Sequence, residues 1–161
     1  MSIIDGTTRL ARPVIGGLER LAPLADLGIR LWAAKFFWDG ALSKVTLGGA
    51  FPFIHMNPST ITLFEYEYEV PLLSPEVAAY LGTATEFTFP ILLAFGLGGR
   101  LAATVLFAFN IVAVIAYPAL EQAGVVQHQL YGTLLLVPLL RGPGKISIDH
   151  FIRRHWMERS I

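Results

Sequence analysis

The chain has 161 residues, of which 54% are hydrophobic and 15% are charged, and its mean hydropathy is +0.58. This composition is too apolar for an ordinary water-soluble domain and indicates a single membrane-embedded unit. Lys and Arg number 12, as do Asp and Glu, so no excess of positive charge points to nucleic acid as a partner. The absence of cysteine excludes disulfides, thiol nucleophiles and Cys-ligated iron–sulfur clusters.

The first 22 residues have an amphipathic pattern. They lack the apolar core and the small-residue cleavage site of a signal peptide. The apolar stripe of this segment consists of Leu10, Val14, Leu18 and Leu21. Because arginines flank the stripe, we predict that residues 1–22 lie in the cytoplasmic membrane interface, with Pro13 and the Gly16-Gly17 pair as candidate breaks in the helix.

Four stretches approach the roughly 20 apolar residues that cross about 30 Å of hydrocarbon. They are residues 24–45, 77–97, 101–117 and 125–140. The turn sequences GLGGR and YPALEQAG separate the second stretch from the third and the third from the fourth. The pattern predicts an all-α fold in which residues 1–161 form one domain, a bundle of four transmembrane helices.

The distribution of basic residues predicts the orientation of this bundle. Lys and Arg occur before the first span, between the second and third, and after the fourth, whereas residues 46–76 and 118–124 contain none. Because basic loops stay in the cytoplasm, both termini are predicted to be cytoplasmic and residues 46–76 to form a structured external loop. Lys44 alone disagrees, since it lies at the outer end of the first span. The expected location is a bacterial inner membrane.

The tail, residues 146–161, repeats the amphipathic pattern of the N-terminus. Ser147 is positioned to cap a short helix, and an apolar face follows it. That face consists of Ile148, Phe151, Ile152 and Trp156. We therefore predict a second helix lying flat at the cytoplasmic surface, with basic side chains directed to phosphate or water.

The external loop contains the sequence FEYEYEV, in which Glu65, Glu67 and Glu69 alternate with aromatic residues. Aromatic rings are common at headgroup depth, so the segment is predicted to be a re-entrant or interfacial stretch with an acidic rim. A site for a hard cation and a docking site for a periplasmic partner are the alternatives.

Three stretches give the chain a resemblance to the DoxX family of small four-helix membrane proteins. They are LADLGIRLWAAKFFWDGALSK, which holds Arg30 and Lys44, then the second span, where Glu86 precedes FPILLAFGLGGR, and finally RGPGKISIDHFI. The resemblance implies the four-helix membrane fold, independently of hydropathy.

The functions that this resemblance implies are diverse. Some DoxX proteins are the membrane subunit of a thiosulfate:quinone oxidoreductase, others accompany thiol oxidation and superoxide defence, and others are encoded beside copper-binding peptides. FEYEYEVPLL most resembles the copper-associated branch. Three hypotheses follow: a quinone-linked subunit of a sulfur, thiol or copper-stress pathway that needs a partner protein; a non-enzymatic partner or scaffold for copper-peptide maturation or export; and a small transporter. A homo-oligomer is compatible with each.

Ionisable and polar residues within the spans are candidate functional groups because charges are costly in hydrocarbon. Helix positions place Lys35, Glu86 and Asn110 near mid-membrane, with Arg30 and Asp39 one turn to either side. Asp26 with Arg30, and Lys35 with Asp39, have the four-residue spacing of intrahelical ion pairs. Glu86 has no such neighbour, so we predict Arg30 or Lys35 as its counter-ion.

Two interpretations of Glu86 remain open. In the first, Glu86 with a basic residue of the first span, and Asn110, hold the helices in register through polar contacts. In the second, Glu86, with Arg30, Lys35 and Asp39, handles protons during quinone chemistry.

The candidate quinone pocket would be lined by Trp32, Phe36, Asn110 and His128. A metal site is a weaker prediction, because His55, Met56 and His128 offer copper ligands without a recognised spacing.

Overall fold

The structure is a computed structural model that describes residues 3–48 and 54–158. Within these ranges the chain forms six helices and one two-stranded antiparallel sheet. They are α1 (Ile3–Ser43), β1 (Val45–Leu47), β2 (Ile54–Met56), α2 (Pro58–Tyr66), α3 (Pro75–Phe95), α4 (Gly99–Ile115), α5 (Gln122–Arg141) and α6 (Ile148–Glu158). The all-α class is confirmed, and the small hairpin of β1 and β2 is an addition that the sequence pattern did not predict.

Four of the helices pack around a common core. α1 contacts α3 and α5, and α4 contacts the same two helices from the other side. The central cluster consists of Ala33, Ala34, Phe37, Leu93, Ala102, Ala103, Leu106 and Leu135. Because half of these residues are alanine, the helix backbones can approach closely, as helices within membranes commonly do.

The N-terminal segment does not form a separate amphipathic helix. α1 runs without interruption from Ile3 to Ser43 and contains both Pro13 and Pro23. A proline removes one backbone hydrogen bond, which bends a long helix without ending it. The predicted breaks at Pro13 and Gly16-Gly17 are therefore wrong. Of the predicted apolar stripe, Leu18 and Leu21 are exposed, whereas the side chains of Leu10 and Val14 lie outside the described part of the chain.

Two described helices, α3 and α5, are long and apolar enough to cross a membrane by length and composition, and α4 is a shorter apolar helix of 17 residues. The outward faces of these helices are apolar as well. Leu81, Ile115 and Leu140 are more than half exposed. α1 differs because Asp26, Arg30, Lys35 and Asp39 all fall within its second half.

At one end of the bundle, Asp149 joins α6 to the turn between α3 and α4. Its two carboxylate oxygens accept hydrogen bonds from the backbone N–H groups of Gly98 and Gly99, each at 2.8 Å. These are the first amides of α4, where an anion is favoured by the helix dipole. The backbone N–H of His150 donates to Ser147 Oγ at 3.2 Å, which is the cap predicted for the tail helix.

Arg30 lies at the same end and is 2% exposed. Its guanidinium donates to the backbone carbonyl of Pro143 and, at 2.7 Å, to that of Ile146. It also lies against Gly96, the left-handed residue that ends α3. Arg30 therefore ties the segment after α5 to the bundle, and the stretches GLGGR and GPGKISID meet around it.

Candidate functional site

A half-open cavity of about 570 Å³ lies at the opposite end of the bundle. It is bounded by the end of α1, the start of α3, the end of α4 and the start of α5, with the end of α2 and the residues after it as a cover. The polar and charged residues lining it are Lys35, Asp39, Lys44, Tyr68, Thr85, Glu86, Gln127, His128 and Tyr131. This volume is within the range of small-molecule sites, and the lining combines apolar walls with a few polar groups.

Lys44 and Glu86 form an ion pair in the wall of this cavity. Lys44 Nζ lies 2.6 Å from Glu86 Oε2, and the two side chains are 15% and 9% exposed. Lys44 Nζ also donates to the Gly40 carbonyl at 3.1 Å. A Cβ atom on residue 40 would lie 3.0 Å from Glu86 Oε1, so the glycine provides the space that the carboxylate occupies.

The prediction that Arg30 or Lys35 is the counter-ion of Glu86 is wrong, because the partner is Lys44. Arg30 binds backbone carbonyls at the other end of the bundle, and Lys35 binds Asp39 at 2.5 Å on an exposed surface. Arg30 and Lys44 are 14 residues apart, so they share one face of α1 but are separated by about 21 Å along its axis. Lys35 points to another face. The long Lys44 stem reaches back from the helix end to the carboxylate.

The two predicted intrahelical pairs of α1 differ in outcome. Lys35 and Asp39 form theirs, with side chains that are 70% and 54% exposed. Arg30 instead uses its guanidinium for the carbonyls of Pro143 and Ile146, and Asp26 lies 3.8 Å from Arg141. Of the proposed proton-handling set, the cavity therefore contains Glu86, Lys35 and Asp39, whereas Arg30 lies outside it.

Asn110 and His128 link α4 to α5 beside the cavity. Asn110 Nδ2 donates to the His128 carbonyl at 3.0 Å, and Asn110 Oδ1 lies 2.8 Å from His128 Nδ1. Because the amide oxygen can only accept, His128 Nδ1 carries the proton of this bond. Nε2 is then the proton-accepting atom of a neutral His128 ring. Asn110 is buried and holds this histidine in place, and only His128 of the two lines the cavity.

Aromatic rings form much of the apolar wall. Phe36 stacks on Tyr131 with ring centroids 3.8 Å apart and an interplanar angle of 11°, and its edge meets His128 at 5.5 Å. Trp32 lines the rim and is 58% exposed. The predicted pocket residues Trp32, Phe36 and His128 are thus brought together, and Tyr131 is a stacking partner that the sequence pattern did not indicate.

A second aromatic group covers the cavity at the end of the bundle, next to α2. Tyr68 stacks between Phe64, at 4.5 Å, and Tyr117, at 4.7 Å. The Tyr117 hydroxyl donates to Glu67 Oε2 at 2.6 Å, and this hydrogen bond raises the pKa of Tyr117. Burial, followed by the nearby Glu86 carboxylate, raises the pKa of Tyr68 to about 12. Phe64 and Tyr68 therefore belong to the site, although FEYEYEV was singled out for its acids.

The three acidic residues of that segment are all exposed. Glu65 lies in the last turn of α2, and Glu67 and Glu69 follow the helix. Glu67 uses one oxygen for Tyr117. Among the described residues there is no group of three or more His, Asp or Glu side chains that could hold a metal ion.

The weak candidates for copper lie on different elements. His55 and Met56 belong to β2, and Met56 Sδ accepts a hydrogen bond from Thr83 Oγ1 at 3.8 Å. His128 is on α5 and is bonded to Asn110. Met56 and His128 therefore each have a protein partner.

Around the Glu86 carboxylate, sequence reasoning missed two further site residues, Lys44 and Gly40. One signal could have found them. Lys44 is the single basic residue that conflicts with the predicted orientation. A lysine whose charge is compensated by a buried carboxylate does not have to stay on the cytoplasmic side. The glycine four residues earlier marks the turn of α1 that faces the ion pair.

The outward apolar faces and the long apolar helices define a helical protein with membrane character. The chain belongs to the DoxX family: the family model DoxX matches residues 25–119, which is more than half of the chain. This match includes Lys44, Glu86 and Asn110 and ends before α5. No curated protein and no solved structure matched the chain.

Proposed function

We propose that the protein spans a bacterial inner membrane four times, through the second half of α1 and through α3, α4 and α5, with both termini in the cytoplasm. The family assignment and the apolar outward faces of these helices support this arrangement. α6 then lies at the cytoplasmic surface, where its exposed Phe151 and Trp156 can enter the interface. The cavity is in the outer half of the bundle.

The orientation can be tested with single cysteines because the natural chain has none. A membrane-impermeant maleimide should label a Glu65→Cys variant in intact cells, since this side chain is exposed in the external loop. An Arg153→Cys variant, exposed on α6, should react only after the cells are permeabilised. The parent chain provides the unlabelled control. Labelling of Arg153→Cys in intact cells would contradict the proposed orientation.

We propose further that the cavity binds the head group of a quinone. The observation that carries this proposal is the placement of the Lys44–Glu86 ion pair and His128 in one aromatic-lined cavity of about 570 Å³. The aromatic walls suit a planar ring, and the polar groups suit its oxygen atoms. A side opening bordered by the exposed Lys35 and Asp39 would admit the ring from the membrane.

A bound quinone would supply two-electron redox chemistry coupled to proton uptake or release. The protein holds groups that can move those protons. Lys44 donates through Nζ, Glu86 accepts through its carboxylate, and His128 accepts through Nε2 while Asn110 fixes its ring. The electrons must come from, or go to, a partner protein. The chain is therefore proposed as the quinone-linked membrane component of a larger redox system.

The first test is mass spectrometry of small molecules and metals retained after gentle purification in detergent. We expect stoichiometric quinone in the natural protein, and much less in Glu86→Gln because the ion pair that borders the ring is lost. Glu69→Gln is the matched control, since this carboxylate lies outside the cavity. A folded Glu86→Gln protein that loses quinone supports Glu86 as part of the quinone site, and one that keeps quinone but loses redox activity supports proton handling. Poor accumulation with full activity per molecule would assign Glu86 a structural role.

The exposed charges of α1 favour a second function, that of a membrane partner or scaffold. Trp32, Lys35 and Asp39 lie at the cavity rim with largely exposed side chains. A charged pair in a spanning segment is costly in lipid, so a partner subunit or a second copy of the chain would cover it favourably. A well-folded sample without quinone would contradict the redox proposal. The role of a membrane partner or scaffold would then remain. Retained copper without quinone would direct attention to His55, Met56 and His128 within a copper-peptide system.

A further inference from the structure

Tyr68 occupies a fixed position over the outer side of the cavity. Its ring is covered on one face by Phe64 and on the other by Tyr117, both at stacking distance. The neighbouring backbone is also fixed, because Glu69 N–H donates to the Ala116 carbonyl at 2.7 Å. A ring held on both faces and at its backbone has little freedom to turn away, so its hydroxyl is preorganised.

The two stacked tyrosines differ in what their hydroxyl groups bind. The Tyr117 hydroxyl donates a hydrogen bond to Glu67 at the surface, and Tyr117 does not line the cavity. Tyr68 does line the cavity, and its hydroxyl donates no hydrogen bond to any residue in the described ranges. A partly buried donor without a protein acceptor is costly unless another molecule supplies one.

Tyr68 also keeps its proton under physiological conditions. Burial and the nearby Glu86 carboxylate raise its pKa to about 12. The phenol is therefore neutral and able to donate, whereas a phenolate could only accept. Lys44, with two of its three N–H groups used by Gly40 and Glu86, is a further donor in the cavity wall.

We infer that the Tyr68 hydroxyl is a specificity-determining donor that binds a carbonyl oxygen of the molecule held in the cavity. This inference rests on the proposed quinone site and deepens it, because it states which part of the ligand is recognised at the outer end. The selected class is a planar ring bearing hydrogen-bond acceptor oxygens. A hydrocarbon ring of the same size would leave the Tyr68 donor unsatisfied.

The test is a binding titration of the full-length protein in detergent with a short-chain ubiquinone. We expect Tyr68→Phe to bind about three- to tenfold more weakly, the effect of one hydrogen bond. Tyr117→Phe is the matched control, since it removes a hydroxyl from the same stack without removing one from the cavity. The unliganded Tyr68→Phe protein should be at least as thermally stable as the natural protein, because that hydroxyl has no partner in the described chain.

A second probe separates the hydroxyl from ring packing. The same alkyl chain carrying a plain benzene ring should bind Tyr68→Phe at least as tightly as the natural protein, because this ring offers the Tyr68 hydroxyl no acceptor. Equal ubiquinone affinity in natural and Tyr68→Phe proteins would overturn the assignment, as would an equal loss in Tyr117→Phe. Absence of ubiquinone binding by the natural protein would instead contradict the proposed function itself, so the two failures are distinguishable.

Discussion

Replacing Lys44 by Met is expected to destabilise the protein by about 3–5 kcal/mol, because it leaves the buried Glu86 carboxylate without its ionic partner. Glu86→Gln should cost less, since glutamine still forms hydrogen bonds and the long Lys44 side chain can move toward the end of the bundle. The double variant Lys44→Met/Glu86→Gln should recover part of the stability lost in Lys44→Met. Equilibrium unfolding in mixed detergent micelles measures all three changes.

Lys35→Met is the control for this experiment. It removes the partner of Asp39 from a pair whose side chains are 70% and 54% exposed, so we expect a smaller loss of stability than in Lys44→Met. Equal losses of stability in Lys44→Met and Lys35→Met would contradict the assignment of Lys44 as the counter-ion of Glu86. A double variant less stable than Lys44→Met alone would contradict it as well.

Replacing Gly96 by Ala is expected to disrupt the opposite end of the bundle. The residue has φ +65°, and an added Cβ would lie 2.5 Å from Ser147 Cβ and 2.7 Å from Arg30 Nη1. The left-handed conformation costs a residue with a Cβ roughly 1–2 kcal/mol, and overpacking adds about 1–3 kcal/mol. The melting temperature should fall sharply, with early loss of the contact between α6 and the bundle.

Gly98→Ala is a closely matched control because Gly98 has the same left-handed backbone conformation as Gly96, but no atoms crowd the position of its Cβ. Gly98 has φ +57°, and a Cβ there would meet nothing within 4 Å. We expect only the conformational cost of roughly 1–2 kcal/mol. The difference between the two variants then measures the packing of Gly96 against Arg30 and Ser147. Equal destabilisation would show that this packing contributes nothing.

Much of the helical architecture could be predicted from local sequence. Long apolar runs and the turn sequences GLGGR and YPALEQAG indicate where α3, α4 and α5 begin and end, because each signal acts within a few residues. The Ser147 cap is local in the same sense. The continuity of α1 past Pro13 is different. A proline weakens a helix without deciding whether it ends, so the sequence pattern alone predicted a break that is absent.

The candidate site required the tertiary structure. Composition and periodicity identified Glu86, Phe36 and His128 as polar or aromatic groups within apolar helices, but pairing between helices depends on their rotation and depth. Lys44 reaches Glu86 from 42 positions away, whereas Arg30, on the same face of α1, binds the segment after α5. The apolar surroundings of Glu86 in the sequence indicate that it needs a partner, since a buried carboxylate is costly alone. Only the packing of α1 against α3 decided that the partner is Lys44, because ion pairs between helices are set by three-dimensional distance and not by spacing along the chain.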